Sequence, residues 1–357
     1  MRLALVALLV LAACSAPQSP WQELAGPAPG ARILSFVPVG GELLVLGSVP
    51  GPEGRAPAAW TTTDGRGWRA VPVEPHSPYA FQAELAAAGV ADGSVTVLGQ
   101  AFGGAHGNPR MTVWRGDVHG LTEHPQAFEL FGGPHAIAVS DAAAVPGTAL
   151  LAGQWDGASG RYGAAIWLSP DGVTWQRRAD DPVLASARGE QTSAVAATAG
   201  PSGFLLTGNT QQASRLVPLV WTSPDGGTWR RIELPATESA VAQRAACDGA
   251  GCVVLGSTAG SRPHALCWPR TDAPGSAGPE GADVETSQVV VRAAGLLAAL
   301  RIDGHARLAS LNRDCTAWRD IPLPARTTEI RLAALPGAIL VAATEATTSR
   351  LFLRAVP

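Results

Sequence analysis

A short apolar run that begins at a glycine recurs seven times along this chain of 357 residues, and five of the seven copies also end in glycine. The first copy is Gly41-Glu-Leu-Leu-Val-Leu-Gly47, and the seven copies close at positions 47, 99, 153, 208, 256, 301 and 343. The last two copies are degenerate, and consecutive closing positions lie 42 to 55 residues apart. A unit that recurs at this interval indicates a propeller or a solenoid, because each unit buries its apolar face only against its neighbours.

Each repeat contains four strand-like segments. In the fourth repeat they are residues 193–199, 204–207, 218–222 and 229–234. Each segment is short, apolar or alternating, and bounded by Gly, Pro, Ser or Asn, which is typical of strands. The Ala-rich residues 81–89 have helical propensity, but they hold the position of a first strand. Seven units of four strands predict an all-β fold, a seven-bladed β-propeller of four-stranded antiparallel blades.

The seventh repeat supplies only three strands, within residues 329–335, 338–343 and 350–356. A blade of three strands would leave an exposed strand edge that is prone to pairing with other chains. Residues 21–24, Trp-Gln-Glu-Leu, parallel the fourth strands that begin at Trp229 and Trp318. We therefore expect residues 20–25 to pair with residues 350–356 and close the ring.

The third and fourth strands of several repeats are joined by a turn with a common pattern. The two clearest copies are residues 169–175 (Ser-Pro-Asp-Gly-Val-Thr-Trp) and 223–229 (Ser-Pro-Asp-Gly-Gly-Thr-Trp). The aspartates of the four recognisable copies are Asp64, Asp171, Asp225 and Asp314. The turn resembles the Asp-box, or bacterial-neuraminidase repeat, of sialidase-like propellers. We expect these carboxylates to accept backbone N–H bonds inside their turns, which is a structural role.

The resemblance raises the question of sialidase activity, which requires an arginine triad, a tyrosine nucleophile with a glutamate partner, and an acid/base aspartate. The Arg-Ile-Pro signature of that family is missing, since the nearest segment, Arg32-Ile33-Leu34, lacks the proline. Only two tyrosines are present, Tyr79 and Tyr162. The sequence also lacks a Gly-x-Ser-x-Gly elbow, a phosphate loop, a dinucleotide fingerprint and a His-Glu-x-x-His motif. We therefore predict no catalytic residue and no cofactor, and we favour a protein that is not an enzyme.

The amino terminus is typical of an exported lipoprotein. Arg2 precedes eleven apolar residues, too few to span a bilayer but enough for the apolar core of a secretory signal. Leu11-Ala-Ala-Cys14 resembles the bacterial lipoprotein box, in which the cysteine thiol receives a diacylglyceryl group. The alternative is an ordinary signal peptide with a chance cysteine. We predict that residues 1–13 are the signal peptide, 14–19 a lipidated tether and 20–357 a single propeller domain.

Composition and charge narrow the cellular setting. All 26 basic residues are arginine, which is typical of a GC-rich bacterial genome. With 15% charged and 46% hydrophobic residues the chain can bury a large core, which excludes disorder. A net charge of −3 with dispersed arginines argues against nucleic-acid binding. We expect a monomer in the bacterial cell envelope, held to the membrane by its lipid and facing outside the cytoplasm.

Four cysteines remain once Cys14 carries lipid, and an even number in an exported protein suggests two disulfides. Cys247 and Cys252 flank a tight-turn sequence, so we predict a bridge across a hairpin. Cys267 then pairs with Cys315. Pairing of Cys252 with Cys267 stays open as an alternative. No Cys-x-x-Cys spacing is present, and we predict no metal site.

Candidate binding residues lie where the loops of a propeller gather. Glu84, Glu190 and Glu329 fall near the starts of first strands, around the predicted axial mouth. In three repeats a tryptophan lies eight residues before the one that ends the Asp turn, at Trp60, Trp167 and Trp221. Trp155 lies outside these regular positions, and with Tyr162 it is our candidate for an exposed contact. The alternative for Trp155 is packing within its loop. Six histidines also map to these loops but lack local ligand spacing: His76, His106, His124, His135, His264 and His305.

Two functions fit this pattern. We favour a lipid-anchored extracytoplasmic propeller that acts as a binding or scaffold module for an envelope protein or glycan. The alternative is a glycan hydrolase or lyase with an unrecognised carboxylate site at the axial mouth. Carboxylates of shifted pKa at the mouth would favour the enzyme, and a shallow aliphatic mouth would favour the binding module.

Overall fold

The structure is a computed structural model that describes residues 19–102, 109–157, 160 and 162–356. It contains seven antiparallel four-stranded sheets, one of which gains a fifth, parallel strand, and their first strands contact one another in cyclic order. This arrangement confirms the seven-bladed β-propeller. Within the described ranges, no helix is long and apolar enough to cross a membrane.

The first three blades follow a short amino-terminal strand, β1 (Gln22–Leu24). Blade 1 consists of β2 to β5 (Arg32–Val39, Glu42–Gly51, Gly54–Thr62 and Arg69–Val71). Blade 2 consists of β7 to β10 (Glu84–Ala91, Ser94–Ala101, Arg110–Asp117 and Gly120–Glu123), and β6 (Val73–Glu74) lies parallel to β10 at its outer edge. Blade 3 consists of β11 to β14 (Ala136–Val145, Thr148–Asp156, Tyr162–Ser169 and Gln176–Arg178).

The remaining blades repeat the pattern. Blade 4 consists of β15 to β18 (Glu190–Gly200, Gly203–Gln212, Arg215–Ser223 and Arg230–Glu233). Blade 5 consists of β19 to β22 (Ala240–Asp248, Gly251–Thr258, His264–Trp268 and Ser276–Glu280). Blade 6 consists of β23 to β26 (Val284–Arg292, Gly295–Ile302, His305–Leu311 and Arg319–Ile321). Blade 7 begins with β27 to β29 (Glu329–Leu335, Ala338–Glu345 and Thr348–Ala355). The described helical turns are a 3₁₀ turn at Ala80–Gln82 and α1 at Phe128–Phe131.

The amino-terminal strand closes the ring, as the sequence predicted. β1 pairs antiparallel with β29, with Gln22 opposite Leu353 and Leu24 opposite Leu351. Trp21, just before β1, is buried, and its indole N–H donates to the Pro322 carbonyl at 2.7 Å. The edge that blade 7 would expose is therefore covered by the other end of the same chain.

The hydrophobic core is divided among the seven contacts between adjacent blades. Each of the seven clusters of buried residues in the described part draws its side chains from two neighbouring blades. Five third strands place a buried tryptophan at the same position: Trp60, Trp114, Trp167, Trp221 and Trp268. The sequence pattern identified three of these five, and all of them pack one blade against the next.

Six of the seven first strands contain a β-bulge near the axis. The register shifts between Ile33 and Ser35 in β2, for example, and between Ala242 and Arg244 in β19, whereas β27 is regular. A bulge adds one residue to one strand, bends it and leaves backbone polar groups without ladder partners. The side chains that satisfy these groups line the axis, as described below.

The turns that share the Asp pattern hold their aspartates through hydrogen bonds from backbone N–H groups. The Asp171 Oδ1 accepts the N–H groups of Val173 and Thr174, each at 2.8 Å, and these bonds lower the pKa of Asp171 to about 2. Asp64 and Asp225 accept equivalent N–H bonds, which also lower the pKa of each. In blade 6, the Asn312 side-chain oxygen accepts the N–H groups of Thr316 and Ala317, and Asp314 also accepts the N–H of Thr316.

Both disulfides have the predicted pairing. Cys247 and Cys252 face each other across β19 and β20, and Cys267 is bonded to Cys315 in the next blade. Cys315 has a φ of 67°, close to the 73° of Gly172 in the equivalent turn. A Cβ on Gly172 would contact Arg115 of the preceding blade. The Cys315 side chain takes this same direction, which is why it reaches the preceding blade and bonds to Cys267.

Candidate functional site

The propeller has two unlike faces. The loops that join second to third strands, and fourth strands to the next blade, form one face, which we call the loop face. The hairpins between first and second strands and the Asp turns form the other, the turn face. An axial cavity of about 800 Å³ runs between them. Glu84, Glu329 and Phe102 line it toward the loop face, and Val90 and Cys247 line it toward the turn face.

Ion pairs occupy the mouth of the cavity on the loop face. The Arg32 guanidinium lies between two carboxylates, 2.9 Å from Glu84 Oε1 and 3.7 Å from Glu329 Oε2. Glu84 is buried, accepts the Ser48 hydroxyl at 2.5 Å and lies 3.8 Å from Arg55. The structure therefore brings Glu84 and Glu329 together at the axis, as expected, but with an arginine between them that the sequence analysis did not place there.

Deeper in the cavity, one residue from each blade forms a ring at the level of the bulges. It is the residue that follows the bulge in blades 1 to 6 and its equivalent in β27. The ring members are Ser35, Ala87, Asp141, Ala196, Arg244, Gln288 and Arg331. Four of the seven can form several hydrogen bonds or carry a charge, so the ring is a polar belt inside an apolar barrel of strands.

These polar side chains bond to the backbone of the next blade. Arg244 Nε donates to the Ser287 carbonyl at 2.9 Å, and Arg331 Nε donates to the Leu34 carbonyl at 2.7 Å. Both acceptors are bulge residues, whose backbone groups would otherwise lack partners. The ring therefore links blade 5 to blade 6 and blade 7 to blade 1.

Two acceptors complete the same belt. Asp141 Oδ2 accepts the N–H of Ala197 at 3.1 Å, and Gln288 Oε1 accepts the N–H of Leu332 at 2.8 Å. Ala197 and Leu332 hold equivalent positions in their strands, one residue beyond the ring. Blade 3 is thus linked to blade 4, and blade 6 to blade 7, by the same bond.

Burial changes the acidity of the ring. Burial in the cavity wall raises the pKa of Asp141 above its ordinary value, and the Arg244 charge and the two backbone N–H bonds only partly oppose this. Burial likewise lowers the pKa of the Arg331 guanidinium, while Glu329, 2.6 Å away, opposes the shift. The cavity is therefore charged and deep, and differs from a shallow aliphatic mouth.

Glu190 lies away from the axis, contrary to the expectation from its place at the start of a first strand. Glu190 pairs with Gln212 and lies four residues before Ala194, where the bulge of β15 begins. Glu84 lies only one residue before Leu85, where the bulge of β7 begins. This overhang carries Glu190 up to the rim between blades 3 and 4. There Arg231 binds it bidentately at 2.7 and 2.8 Å and lowers the pKa of Glu190 to about 2.

Tyr162 shares this rim pocket, which has a volume of about 580 Å³. Its ring is partly exposed, and its hydroxyl donates to Gln191 Oε1 at 2.6 Å. Trp155 differs from the expected exposed contact because it is 5% exposed. Its ring lies 3.8 Å from the Arg177 guanidinium and packs edge-on against Trp167, which is the loop-packing alternative.

Four of the described histidines, His76, His135, His264 and His305, each have a side-chain contact with a polar group of a neighbouring residue. His135 Nδ1 lies 3.0 Å from Asp156 Oδ2, and His264 Nδ1 lies 3.2 Å from the Thr258 hydroxyl. Within the described residues, no group of three or more His, Cys, Asp or Glu side chains is placed to hold a metal ion. His106 and the lipidation candidate Cys14 lie outside the described residues.

Sequence reasoning missed the arginines and Asp141 of the axis. A usable indication was present, because Asp141, Arg244 and Arg331 each interrupt an otherwise apolar, Ala-rich first strand. A charged residue at the same place in several repeats points to a shared environment near the axis. Which acid faces which base could not be read from this pattern, because each pair involves different blades.

No family model matches this chain, and no curated protein sequence matches it either. Among solved structures, YCF48 from Cyanidioschyzon merolae is similar over 94% of this chain and 99% of its own, with 12% identity and a TM-score of 0.53. An acylaminoacyl peptidase from Pyrococcus horikoshii is similar over 90% of this chain, with 9% identity and a TM-score of 0.52. This chain spans about half of that peptidase, 51% of its length.

A sialidase from Trypanosoma rangeli is also similar, over 91% of this chain and 54% of its own, with 13% identity. Its TM-score is 0.48, and at that score the similarity carries no functional argument. At these identities the comparisons show the fold alone: the chain is a β-propeller, and its function has to be argued from its own surfaces.

Proposed function

We propose that this protein is a lipid-anchored, extracytoplasmic binding module that holds an envelope protein or glycan on its loop face. One observation carries the proposal: every exposed large hydrophobic side chain in the described part of the chain lies on this face. These side chains are Tyr79, Phe81, Phe102, Phe128, Ile137 and Tyr162. Aromatic side chains gathered on one face around a charged cavity are typical of a recognition surface.

The proposed anchor agrees with the position of the first described residues. β1 runs antiparallel to β29 and so begins at the turn face, where the Gln22 side chain accepts a bond from Arg66 at 2.7 Å. Cys14 precedes Trp21 by seven positions, a span of at most about 25 Å at ~3.5 Å per residue. Lipid on Cys14 would hold the turn face toward the membrane and leave the loop face free. The two disulfides support an oxidising compartment outside the cytoplasm.

The predicted carboxylates support binding over hydrolysis. A glycosidase needs one carboxyl group that donates a proton and a second that acts as base or nucleophile. Glu84 and Glu329 are instead ion-paired with arginines at the mouth, and Glu190 has a pKa of about 2, far too acidic to donate at neutral pH. These acids are suited to orienting arginines and polar ligand groups.

One observation favours the second candidate, a glycan hydrolase that works in the axial cavity. Asp141 lines that cavity, and burial raises its pKa, which is the change that a general acid requires. If the cavity is catalytic, Asp141→Asn abolishes reducing-end release from peptidoglycan and from a panel of envelope oligosaccharides. Wild-type protein that releases no reducing ends from any of them counts against the enzyme.

Face-specific crosslinking in living cells tests the binding function. A photoreactive benzoylphenylalanine replaces Phe81 or Tyr162 on the loop face, or Thr228 or Ala250 on the turn face, all of which are exposed. We expect discrete crosslinked products from the two loop-face positions and none from the turn-face positions. Products from the turn face alone, or equally from both faces, would show that the loop face is not the recognition surface.

A further inference from the structure

A groove between blades 2 and 3 opens on the loop face beside the axis. It has a volume of about 260 Å³, and Met111, Phe131 and Ile137 form part of its wall. Gln100 and Ser140 line both this groove and the axial cavity, so the two are continuous. Ile137 is 42% exposed although it is a large aliphatic residue at the start of an inner strand. The groove is thus an apolar extension of the charged mouth.

Arg110 lies in the wall of this groove without a charged partner. Its guanidinium carbon lies 4.6 Å from the centre of the Phe128 ring and 5.8 Å from that of Tyr79. Its Nε is buried and has no hydrogen-bond partner in the described part of the structure. No described carboxylate forms an ion pair with Arg110, and the segment 103–108 that precedes it contains no Asp or Glu.

This environment contrasts with that of two other arginines on this side of the propeller. Arg32 and Arg231 each bind carboxylates directly, whereas Arg110 is positioned by two aromatic rings that cannot neutralise its charge. Aromatic faces orient a guanidinium without neutralising it, so the charge of Arg110 stays available to an incoming anion. Arg110 therefore has the geometry of a preorganised anion-binding group.

We propose that this groove binds a polypeptide segment of a partner protein in which a carboxylate side chain lies next to a large apolar one. The carboxylate binds Arg110, and the apolar side chain packs against Met111, Phe131 and Ile137. A polypeptide fits better than a glycan because sugar hydroxyls would lose their water against an aliphatic wall that offers few hydrogen bonds. The inference rests on the proposed function, since it assigns a partner class and a subsite to the loop face.

The test starts from peptides chosen without reference to any partner. A library of random hexapeptides displayed on phage is selected on the full chain, and fluorescent copies of the selected peptides are measured by anisotropy. We expect selected peptides to contain Asp or Glu beside Phe, Leu, Ile or Trp. We expect Arg110→Gln to weaken their binding about tenfold or more, because a charge-assisted bond is lost. Ile137→Ser is expected to weaken binding as well.

A double-mutant cycle assigns the contact. Replacing the peptide's carboxylate by its amide should weaken binding to the wild type as much as Arg110→Gln does, and should cost nothing further in that variant. The matched control is Arg188→Gln, an exposed arginine of the same face, which should leave binding unchanged. Thermal unfolding of each variant at the wild-type temperature establishes that the fold is intact.

Several results would overturn the proposal. They are the enrichment of no peptide, the enrichment of peptides without a carboxylate, or equal binding by wild type and Arg110→Gln. Arg110-dependent binding of a uronic-acid oligosaccharide, or of phosphatidylglycerol vesicles, in place of peptides would assign the groove to a glycan or a lipid. The crosslinking experiment tests the proposed function independently of the groove. Crosslinks confined to the loop face would support that function even if the groove binds no peptide, and the absence of such crosslinks would contradict it.

Discussion

At the scale of single residues, ion pairs with arginine set the protonation state of the acidic residue Glu190 at the rim. Glu190 lies 12% exposed between the two terminal nitrogens of Arg231, and this contact is the largest cause of its lowered pKa. Bidentate pairs of this kind are stronger and more directional than single contacts. Glu190 therefore stabilises the folded state at every pH at which it is ionised. In the sequence it was a candidate for the carboxylate site, but in the structure it forms an ion pair at the rim.

The Glu190 pair predicts a pH dependence of stability. Because its pKa falls from 4.5 to about 2 on folding, its contribution is full above about pH 4.5 and is lost as the pH falls toward 2. Arg231→Gln should lower the free energy of unfolding by about 1–2 kcal/mol at pH 7, a partly exposed pair being worth less than its full shift. Urea unfolding from pH 7 to pH 2 measures this, and the difference from wild type should shrink to a small fraction of its pH 7 value as the pH reaches about 2.

The neighbouring Arg230 supplies the control for this prediction. It is exposed and has no ion pair in the described part of the chain, so Arg230→Gln should leave stability unchanged across the same range. An Arg231→Gln difference that persists at pH 2 would mean that packing of the side chain, rather than the ion pair, is responsible.

At the scale of the strand, the recurring glycine has a steric cause. The glycine that ends each clear apolar run lies opposite the residue just before the bulge of the first strand, and in four of the five runs a backbone carbonyl turns toward it. A Cβ on Gly47 would lie 1.9 Å from the Arg32 carbonyl oxygen, and one on Gly208 would lie 1.8 Å from that of Ser193. In five of the six bulged blades, glycine and bulge therefore act together to bend the inner strand around the axis, whereas in blade 6 Leu300 holds the position of the glycine.

This reading predicts that Gly47→Ala is strongly destabilising. The added Cβ overlaps a backbone atom, so the bulge must shift, and we expect a loss of about 3 kcal/mol in the free energy of unfolding. Gly41→Ala, six residues earlier in the same hairpin, is the matched control, because a Cβ there meets nothing within 4 Å. Urea unfolding of both variants gives the comparison, and similar losses in the two would refute the steric explanation.

At the scale of the whole molecule, the ring depends on contacts between distant parts of the chain. Trp21 packs with Ile330, Ile339 and Phe352 in the core between blades 6 and 7. The disulfide between Cys267 and Cys315 joins blades 5 and 6, and the polar ring links this pair and three further pairs of neighbouring blades around the axis. A closed propeller keeps only short outer strand edges, and each blade packs against two neighbours, so the closing contact helps to stabilise the whole ring.

Loss of the Trp21 contact should therefore lower the stability of the whole fold and increase hydrogen exchange in the neighbouring strand β29. Trp21→Ala removes a buried ring and its bond to Pro322, and we expect a loss of about 3 kcal/mol in the free energy of unfolding. Hydrogen exchange of residues 348–355 should accelerate, whereas that of residues 215–223 in blade 4 should stay slow. Trp21→Phe, which keeps a ring but loses the bond, should cost only about 1 kcal/mol. Wild-type exchange of residues 348–355 in Trp21→Ala would contradict closure by β1.

The anchor also belongs to this scale, because it orients the whole propeller. We expect Cys14→Ser to abolish membrane attachment and to leave a soluble exported form or an uncleaved precursor, since the thiol is the predicted site of lipid addition. Fractionation and the mass of the amino-terminal peptide measure this. A variant that stays in the membrane fraction with its signal removed would show that another feature anchors the protein.

The amino-acid sequence by itself determined the seven blades and the strand that closes the ring, and it predicted the pairing of the four cysteines with one alternative left open, which the structure decided. These features follow from local causes: alternating apolar residues, glycines that a bulge requires, and turns that hold their own aspartates. The tertiary structure alone decided that Arg32 lies between Glu84 and Glu329, that Glu190 is displaced to the rim and that Trp155 is buried. It also placed Arg110 beside two aromatic rings and no carboxylate among the described residues. Each of these outcomes depends on which blade faces which and how far a strand overhangs, and those relations exist only once the ring has closed.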